Sequence, residues 1–220
     1  MSEPWLLAID TATSVVTVAA GTRGGRLLEA RSFPAGHRHG SHLLPTIDGL
    51  VRDGRRSLRD LVGIVVGTGP GAFTGLRVGL GTAKVLAHEL GVPLVGIPTS
   101  DALLAADLDA TALLLPAGPH DRTLVERSAA PRLIPGDTGG PEPARAMAVD
   151  LEGRASPAAL ERGHRAVGAL AASLLALGSA RLASGNGDDV ARLVPVYVSL
   201  PRGVTTDVGE GGVAWSRDPR

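Results

Sequence analysis

Residues Leu61 to Gly67 form an unbroken apolar run, LVGIVVG, which passes directly into the glycine-rich segment GTGPGAFTGLRVGLG. A run so short and so apolar reads as a strand buried on both faces, and such a strand needs a covering layer above and below it. The glycines then demand a tight turn, after which Leu76, Leu80, Ala83, Ala87 and Leu90 recur at helical spacing. Strand, tight turn and helix in that order point to an α/β fold in which helices flank a sheet. Gly75, Gly79 and Gly81 sit inside the expected helix, and each costs about 0.5–1 kcal/mol relative to alanine. Three of them together suggest a backbone that approaches something closely, with packing as the plain explanation.

The flanking sequence fits that frame. Trp5 to Ile9, Val15 to Gly21 and Arg26 to Phe33 read as a three-strand meander, with Gly21, Gly24 and Gly25 marking its second turn. Leu43, Leu44, Ile47, Leu50 and Val51 give a first helix that stops near Gly54. Val92 to Ile97 is a further strand, followed by a helix through Ala106 with Thr99 or Ser100 as its cap. In the second half, residues 111–115 and 123–128 read as strands and 131–143 as a Pro/Gly-rich connection. Val167, Leu170, Ala171, Leu174 and Leu175 define an amphipathic helix, and 193–200 a last strand despite Pro195. The expected division is a first lobe over residues 1–107, a second over 108–201 and a flexible tail over 202–220.

Composition removes several classes. Among 220 residues, 22 basic side chains balance 22 acidic ones, so no overall field draws in a polyanion, and any RNA contact must be local or borrowed. With no cysteine, disulfide frameworks and thiolate metal sites are excluded. The N-terminus lacks a basic segment followed by a long apolar one, and no stretch reaches the roughly 20 apolar residues of a membrane span. The expectation is a cytoplasmic protein with no membrane contact.

Candidate chemistry is sparse. Asp10-Thr11-Ala12-Thr13 ends the first strand, where an acid and hydroxyls could hold a metal and phosphate, although Ala12 stands where such a turn wants glycine. The alternative is that Asp10 and Thr13 bond their own turn. Gly67 to Gly81, with Gly69 and Gly71, could present amides to an anion, but the P-loop and dinucleotide spacings are absent. His37, His39 and His42 lack an evident further ligand for a metal, and no nucleophile motif appears. Catalytic and metal sites are therefore expected to be absent, with Asp10, Thr13, Gly69 and Gly71 as vestigial cofactor-binding candidates.

LAIDTAT followed about sixty residues later by GTGPGAFTGLRVG resembles the signature of the TsaB family of tRNA threonylcarbamoyladenosine biosynthesis proteins, in the TsaD/TsaB glycoprotease-like superfamily. The likeness continues through HGSHLLPTIDGLV, GVPLVGIPTSDAL and PVYVS, and weakens over residues 116–192, where the family's D-A-R turn is missing near PAGPHDRTLV. The resemblance implies a ribonuclease H-like fold of the actin, hexokinase and Hsp70 ATPase type, with two lobes each holding a mixed sheet. It also implies a non-catalytic subunit that binds and activates TsaD, the enzyme that threonylcarbamoylates the tRNA adenosine beside the anticodon. TsaE would join the assembly, the protein alone would form a homodimer, and tRNA would be reached only through the complex. No cofactor of its own is implied, although ATP could sit at the complex junction. TsaD carries an H-x-x-x-H metal pair that is absent here. By position, Leu43, Leu44, Ile47, Phe73, Arg77, Leu80 and Lys84 on the first two helices are the partner-interface candidates. The competing readings are an active phosphotransferase or ATPase of the same fold using Asp10, and, last, a peptidase.

Overall fold

The computed structural model describes residues 3–36, 39–136, 142–185 and 187–198, and the backbone of residues 204–206 and 213–215. Two mixed sheets carry the fold. In the first, β1 (Trp5–Asp10), β2 (Val15–Thr22) and β3 (Leu27–Pro34) form an antiparallel meander, and β4 (Leu61–Gly67) and β5 (Leu94–Ile97) add parallel strands on the other side of β1. The order is β3-β2-β1-β4-β5. The second sheet repeats the scheme with β6 (Ala112–Ala117), β7 (Asp121–Glu126) and β8 (Arg132–Ile134) antiparallel and β9 (Met147–Ala148) parallel to β6, in the order β8-β7-β6-β9. The helices are α1 (His39–Asp53), α2 (Phe73–Leu90), α3 (Thr99–Ala106) and α4 (Pro157–Ala183).

Strand parity decides where each side chain goes. Trp5, Leu7 and Ile9 of β1, with Ile64 and Val66 of β4, pack under Leu43, Ile47 and Leu50 of α1 and Leu80, Ala83 and Ala87 of α2. Their neighbours Leu6, Ala8 and Val65 face the other way. They meet α3, α4 and the inner face of the second sheet through Leu103, Leu113, Leu115, Val125, Leu170 and Leu174. A third cluster, with Leu114, Leu124, Ala148, Leu151 and Ala159, covers the outer face of the second sheet. Each large side chain so buried contributes about 1.5–3 kcal/mol. The continuous run in β4 is the sequence trace of burial on both faces.

α4 joins the two sheets. Its N-cap Ser156 accepts a hydrogen bond from the Ala159 amide at 3.2 Å, and Pro157 occupies the first turn. The helix lies close on the first sheet because small residues alternate with large ones. Gly178 rests on Val65, while Gly21 and Gly63 of the sheet lie under Leu175 and Leu182. α4 is long and apolar enough to cross a membrane, which departs from the expectation that no stretch would be. Leu170, Leu174 and Leu175 spend that apolarity on the core between the sheets.

Further departures have local causes. The amphipathic helix runs well beyond 167–175 because only its middle shows a clear period. β8 and β9, with three and two residues, are too short to show any. No strand forms over 193–198: Pro195 has no amide to donate, and Val196 donates to the Thr68 carbonyl at 2.8 Å. Residues 199 and 200 of that expected strand lie outside the described residues. Within the expected tail, β10 (Val204–Thr206) and β11 (Val213–Trp215) pair antiparallel; the rest of 202–220 lies outside the described residues. The chain changes sheet between α3 and β6, near the expected lobe boundary, yet α4 from the second half covers the first sheet.

Glycine-to-alanine changes on α4 should therefore have opposite signs. Gly178→Ala places a methyl against Val65 and is expected to cost about 1–3 kcal/mol, whereas Gly168→Ala, facing open space, should gain up to about 1 kcal/mol of helix propensity. Urea denaturation of both variants measures this, and equal effects would refute the close helix–sheet seat.

Candidate functional site

β1 and β4 both end in turns that cross beside α2. Asp10, the last residue of β1, shares the parity of Leu6 and Ala8 and is fully buried. The Thr99 hydroxyl donates to its Oδ2 at 2.6 Å and the Ala12 amide to its Oδ1 at 2.9 Å. Gly69 N in turn donates to the Thr99 hydroxyl at 3.1 Å. Gly67 must be glycine because any Cβ there would meet the Asp10 carboxylate. The turn after β1 is laced to α2 as well: Thr11 Oγ1 donates to the Gly75 carbonyl at 2.7 Å, and Ala72 N donates to the Ala12 carbonyl at 2.7 Å. Thr11 also fills the space a Cβ on Gly79 would take. The close approach expected of the α2 glycines is thus real at Gly79, while Gly81 faces open space.

Beside this knot a cleft of about 920 Å³ opens between the start of α2 and the β6–β7 turn, with Ala12, Gly71, Phe73, His120, Asp150 and Tyr197 in its walls. The Tyr197 ring lies 5.0 Å from that of Phe73, and the Arg77 guanidinium stacks 3.9 Å over Phe73 while its Nε donates to the Tyr197 hydroxyl at 3.3 Å. Asp150 is held by Ser14, whose amide donates to Oδ2 at 2.7 Å and whose hydroxyl donates to Oδ1.

Of the cofactor candidates, Gly71 reaches the cleft, and Asp10, Thr13 and Gly69 do not. Thr13 bonds its own turn, donating to the Val15 carbonyl at 3.0 Å. Of the histidines, His37 and the His39 side chain lie outside the described residues. His42 Nδ1 is 3.0 Å from the Ser41 hydroxyl, and its ring lies 5.9 Å from that of Phe33. Among the described residues, no group of three or more His, Asp or Glu could hold a metal. The partner-interface candidates divide. Leu43, Ile47 and Leu80 are 1%, 5% and 4% exposed in this chain's own core, so they offer no surface to a partner; the helical spacing that flagged them was the core-facing stripe. Phe73 and Arg77 are engaged with Tyr197 at the cleft. Leu44, at 54% exposure, points outward, and so does Val85, at 62%, which the sequence reading missed because one exposed valine has no periodic signature. Lys84 is partly exposed.

Burial pushes the Asp10 carboxyl up to about 6, against the lowering effect of the bonds from Thr99 and Ala12. The folded protein thus binds this proton more tightly than the unfolded chain does. The associated stability is complete below about pH 4 and is lost as pH rises through about 6, for a total on the order of 3 kcal/mol. Thr99→Val removes a donor that the ionised carboxylate needs. It is expected to destabilise by about 1–3 kcal/mol at pH 8 and by less at pH 5, where the carboxyl is protonated. Denaturation at both pH values measures the difference, and a loss independent of pH would count against the assignment.

The family profile described as TsaD, tRNA N6-adenosine threonylcarbamoyltransferase, matches residues 34–127. The tRNA threonylcarbamoyladenosine biosynthesis protein TsaB of Escherichia coli (strain K12) is 35% identical over 94 residues, 43% of this chain and 40% of that protein. An uncharacterised protein of Mycobacterium tuberculosis (strain H37Rv) is 37% identical over 99 residues, 44% of this chain and 47% of its own. The matched stretch spans less than half the length of these curated relatives. In three dimensions, YeaZ from Pseudomonas aeruginosa superposes with a TM-score of 0.65 at 23% identity, covering 90% of this chain and all of that one, which establishes a shared fold. Over the matched stretches the chain is thus similar to TsaB proteins and to the TsaD family profile, and it shares the fold of YeaZ.

Proposed function

We propose that this chain is a non-catalytic subunit in the biosynthesis of tRNA threonylcarbamoyladenosine, binding TsaD through the outer faces of α1 and α2 and activating it. The observation that carries this reading is the exposure of Leu44 and Val85 on two helices that pack beside one another over the same face of the first sheet. Isolated apolar side chains are common on surfaces. On α2, Gly81 lies one helical turn before Val85, and an added Cβ there would meet nothing within 4 Å, so a second helix has room to approach.

The non-catalytic part rests on Asp10. A nucleotide site of the expected kind would place that carboxylate toward metal and phosphate in the cleft, whereas its oxygens accept bonds from Thr99 and Ala12 inside the protein. Within the same proposal the fold is of the ribonuclease H-like class with two lobes, a reading supported by the second sheet repeating the strand order of the first. A homodimer in the absence of TsaD, a cytoplasmic location, assembly with TsaE and ATP at the complex junction belong to it too.

Replacing both outward residues, Leu44→Asp with Val85→Asp, should leave folding intact and weaken the complex with the TsaD of the same organism by at least about 100-fold, since two apolar contacts would be lost and two charges desolvated. Titration by calorimetry, with tRNA modification as the activity readout, measures it. Leu80→Asp would put a carboxylate in the core and is expected to prevent folding, so it does not probe the interface. A folded double variant that binds TsaD as well as wild type, or a wild-type chain that hydrolyses ATP unaided, would sink the proposal.

A further inference from the structure

Beside the large cleft, the β6–β7 turn builds a further, smaller hollow of about 280 Å³. Its walls are Pro119, His120, Arg122, Gly136 and Arg154. Three of the five carry cationic or hydrogen-bond-donating side chains, and no carboxylate is among them. Parity puts Arg122 there: it shares a face of β7 with Leu124, which belongs to the outer cluster with Ile134, Leu151 and Ala155, and its cross-strand partner on β8 is Ile134. Arg154 arrives from the segment between β9 and α4. Its Nη1 donates to the carbonyls of Gly118 and Pro119 at 3.2 and 3.0 Å, which seats the guanidinium over the turn.

Asp121, beside His120 in sequence, spends Oδ1 on the Gly136 amide at 3.0 Å and lines the larger cleft instead. Among the described residues, neither Arg122 nor the remaining nitrogens of Arg154 have a hydrogen-bond or ion-pair partner. Two guanidiniums lining one small polar hollow repel each other unless an anion lies between them. Their fixed donor forks match the paired oxygens of a phosphate group.

We propose that the hollow at Arg122, Arg154 and His120 is a binding site for a phosphate group, carried either by a small phosphorylated ligand or by the phosphodiester backbone of RNA. The site is independent of the α1 and α2 face and stands whether or not the chain pairs with TsaD. It also gives a chain of zero net charge a local means of holding a polyanion.

The test is titration of the full-length protein with three probes: inorganic phosphate and AMP by calorimetry, and fluorescein-labelled tRNA by anisotropy at low and physiological salt. Saturable binding of at least one probe is expected. Arg122→Gln should raise its Kd by about tenfold or more, Arg122→Lys by less, and the charge-matched control Arg165→Gln, on the exposed face of α4 and paired with Glu161, should leave it unchanged. Binding of phosphate and AMP supports the proposal with a small ligand. Binding of tRNA alone supports it with the RNA backbone, and means that this chain touches RNA with its own residues. Equal losses in Arg122→Gln and Arg165→Gln would show unspecific charge attraction and overturn the site, as would the absence of binding by all three probes. Arg122 is only half-buried and bonded to nothing described, so its substitution should leave the melting temperature unchanged, and thermal denaturation checks this.

Discussion

β1 and β4 are covered on both faces, and almost every feature of the protein follows from satisfying two cores with one pair of strands. Alternate residues must each be apolar, which gives the uninterrupted LVGIVVG and WLLAI runs, and each face must receive a layer of its own. α1 and α2 supply one layer. The other is shared between α3, α4 and the second sheet, so the two halves of the chain meet in a continuous core. A helix pressed onto so densely packed a sheet can approach only where one side gives way, hence Gly178 against Val65 and Gly21 and Gly63 beneath leucines. That seat buries Leu170, Leu174 and Leu175 of a helix which, by length and composition alone, could have crossed a bilayer.

The same parity explains why Asp10 behaves as a structural group. As the next member of the series Leu6, Ala8, it must point into the inner core. Water is excluded there, and the carboxylate survives only through Thr99 and the Ala12 amide. In supplying those bonds the protein ties the ends of β1, β4 and β5 together, and Thr99 gives up the helix-capping role its position suggests, leaving Pro98 at the N-cap of α3. The large cleft beside the knot has aromatic and polar walls that include Asp121 and Asp150 but not Asp10. An active-site arrangement and a buried structural arrangement place incompatible demands on one carboxylate, and the geometry at Asp10 meets the second.

Where a single principle dominates a segment, the sequence alone was enough. The five strands of the first sheet and the first three helices were legible because burial on one or two faces leaves a period of 2 or 3.6, and the reading of Asp10 and Thr13 as groups bonding their own turn was available from the chemistry of the turn. The second half was harder for physical reasons. β8 and β9 owe their existence to neighbours rather than to their own pattern, and Pro195 turns a strand-like stretch into an irregular one. Three of the interface candidates are instructive in another way. Leu43, Ile47 and Leu80 stood out through their spacing, but helical spacing of apolar residues reports the face turned inward. Leu44, itself one of the candidates, and Val85 are the large apolar side chains that α1 and α2 leave exposed among the described residues, and the proposed partner contact rests on them.

The partner face and the polar hollow therefore draw on different physics and are unequally visible in a sequence. An apolar docking surface is worth most at its dry centre and depends little on salt, and it is hidden among the leucines of the core. A pair of arginines around a small cavity depends on long-range attraction and exact donor placement, and it arises from residues 32 positions apart that share no motif. Arg122 is placed by the alternation of a strand and Arg154 by two carbonyls of a turn. Had either been replaced by an apolar residue, the outer cluster with Leu124 and Ile134 could have been extended over the turn at no electrostatic cost. Two like charges that line one hollow with no ion-pair partner among the described residues are the feature that core packing does not account for, and a bound anion does.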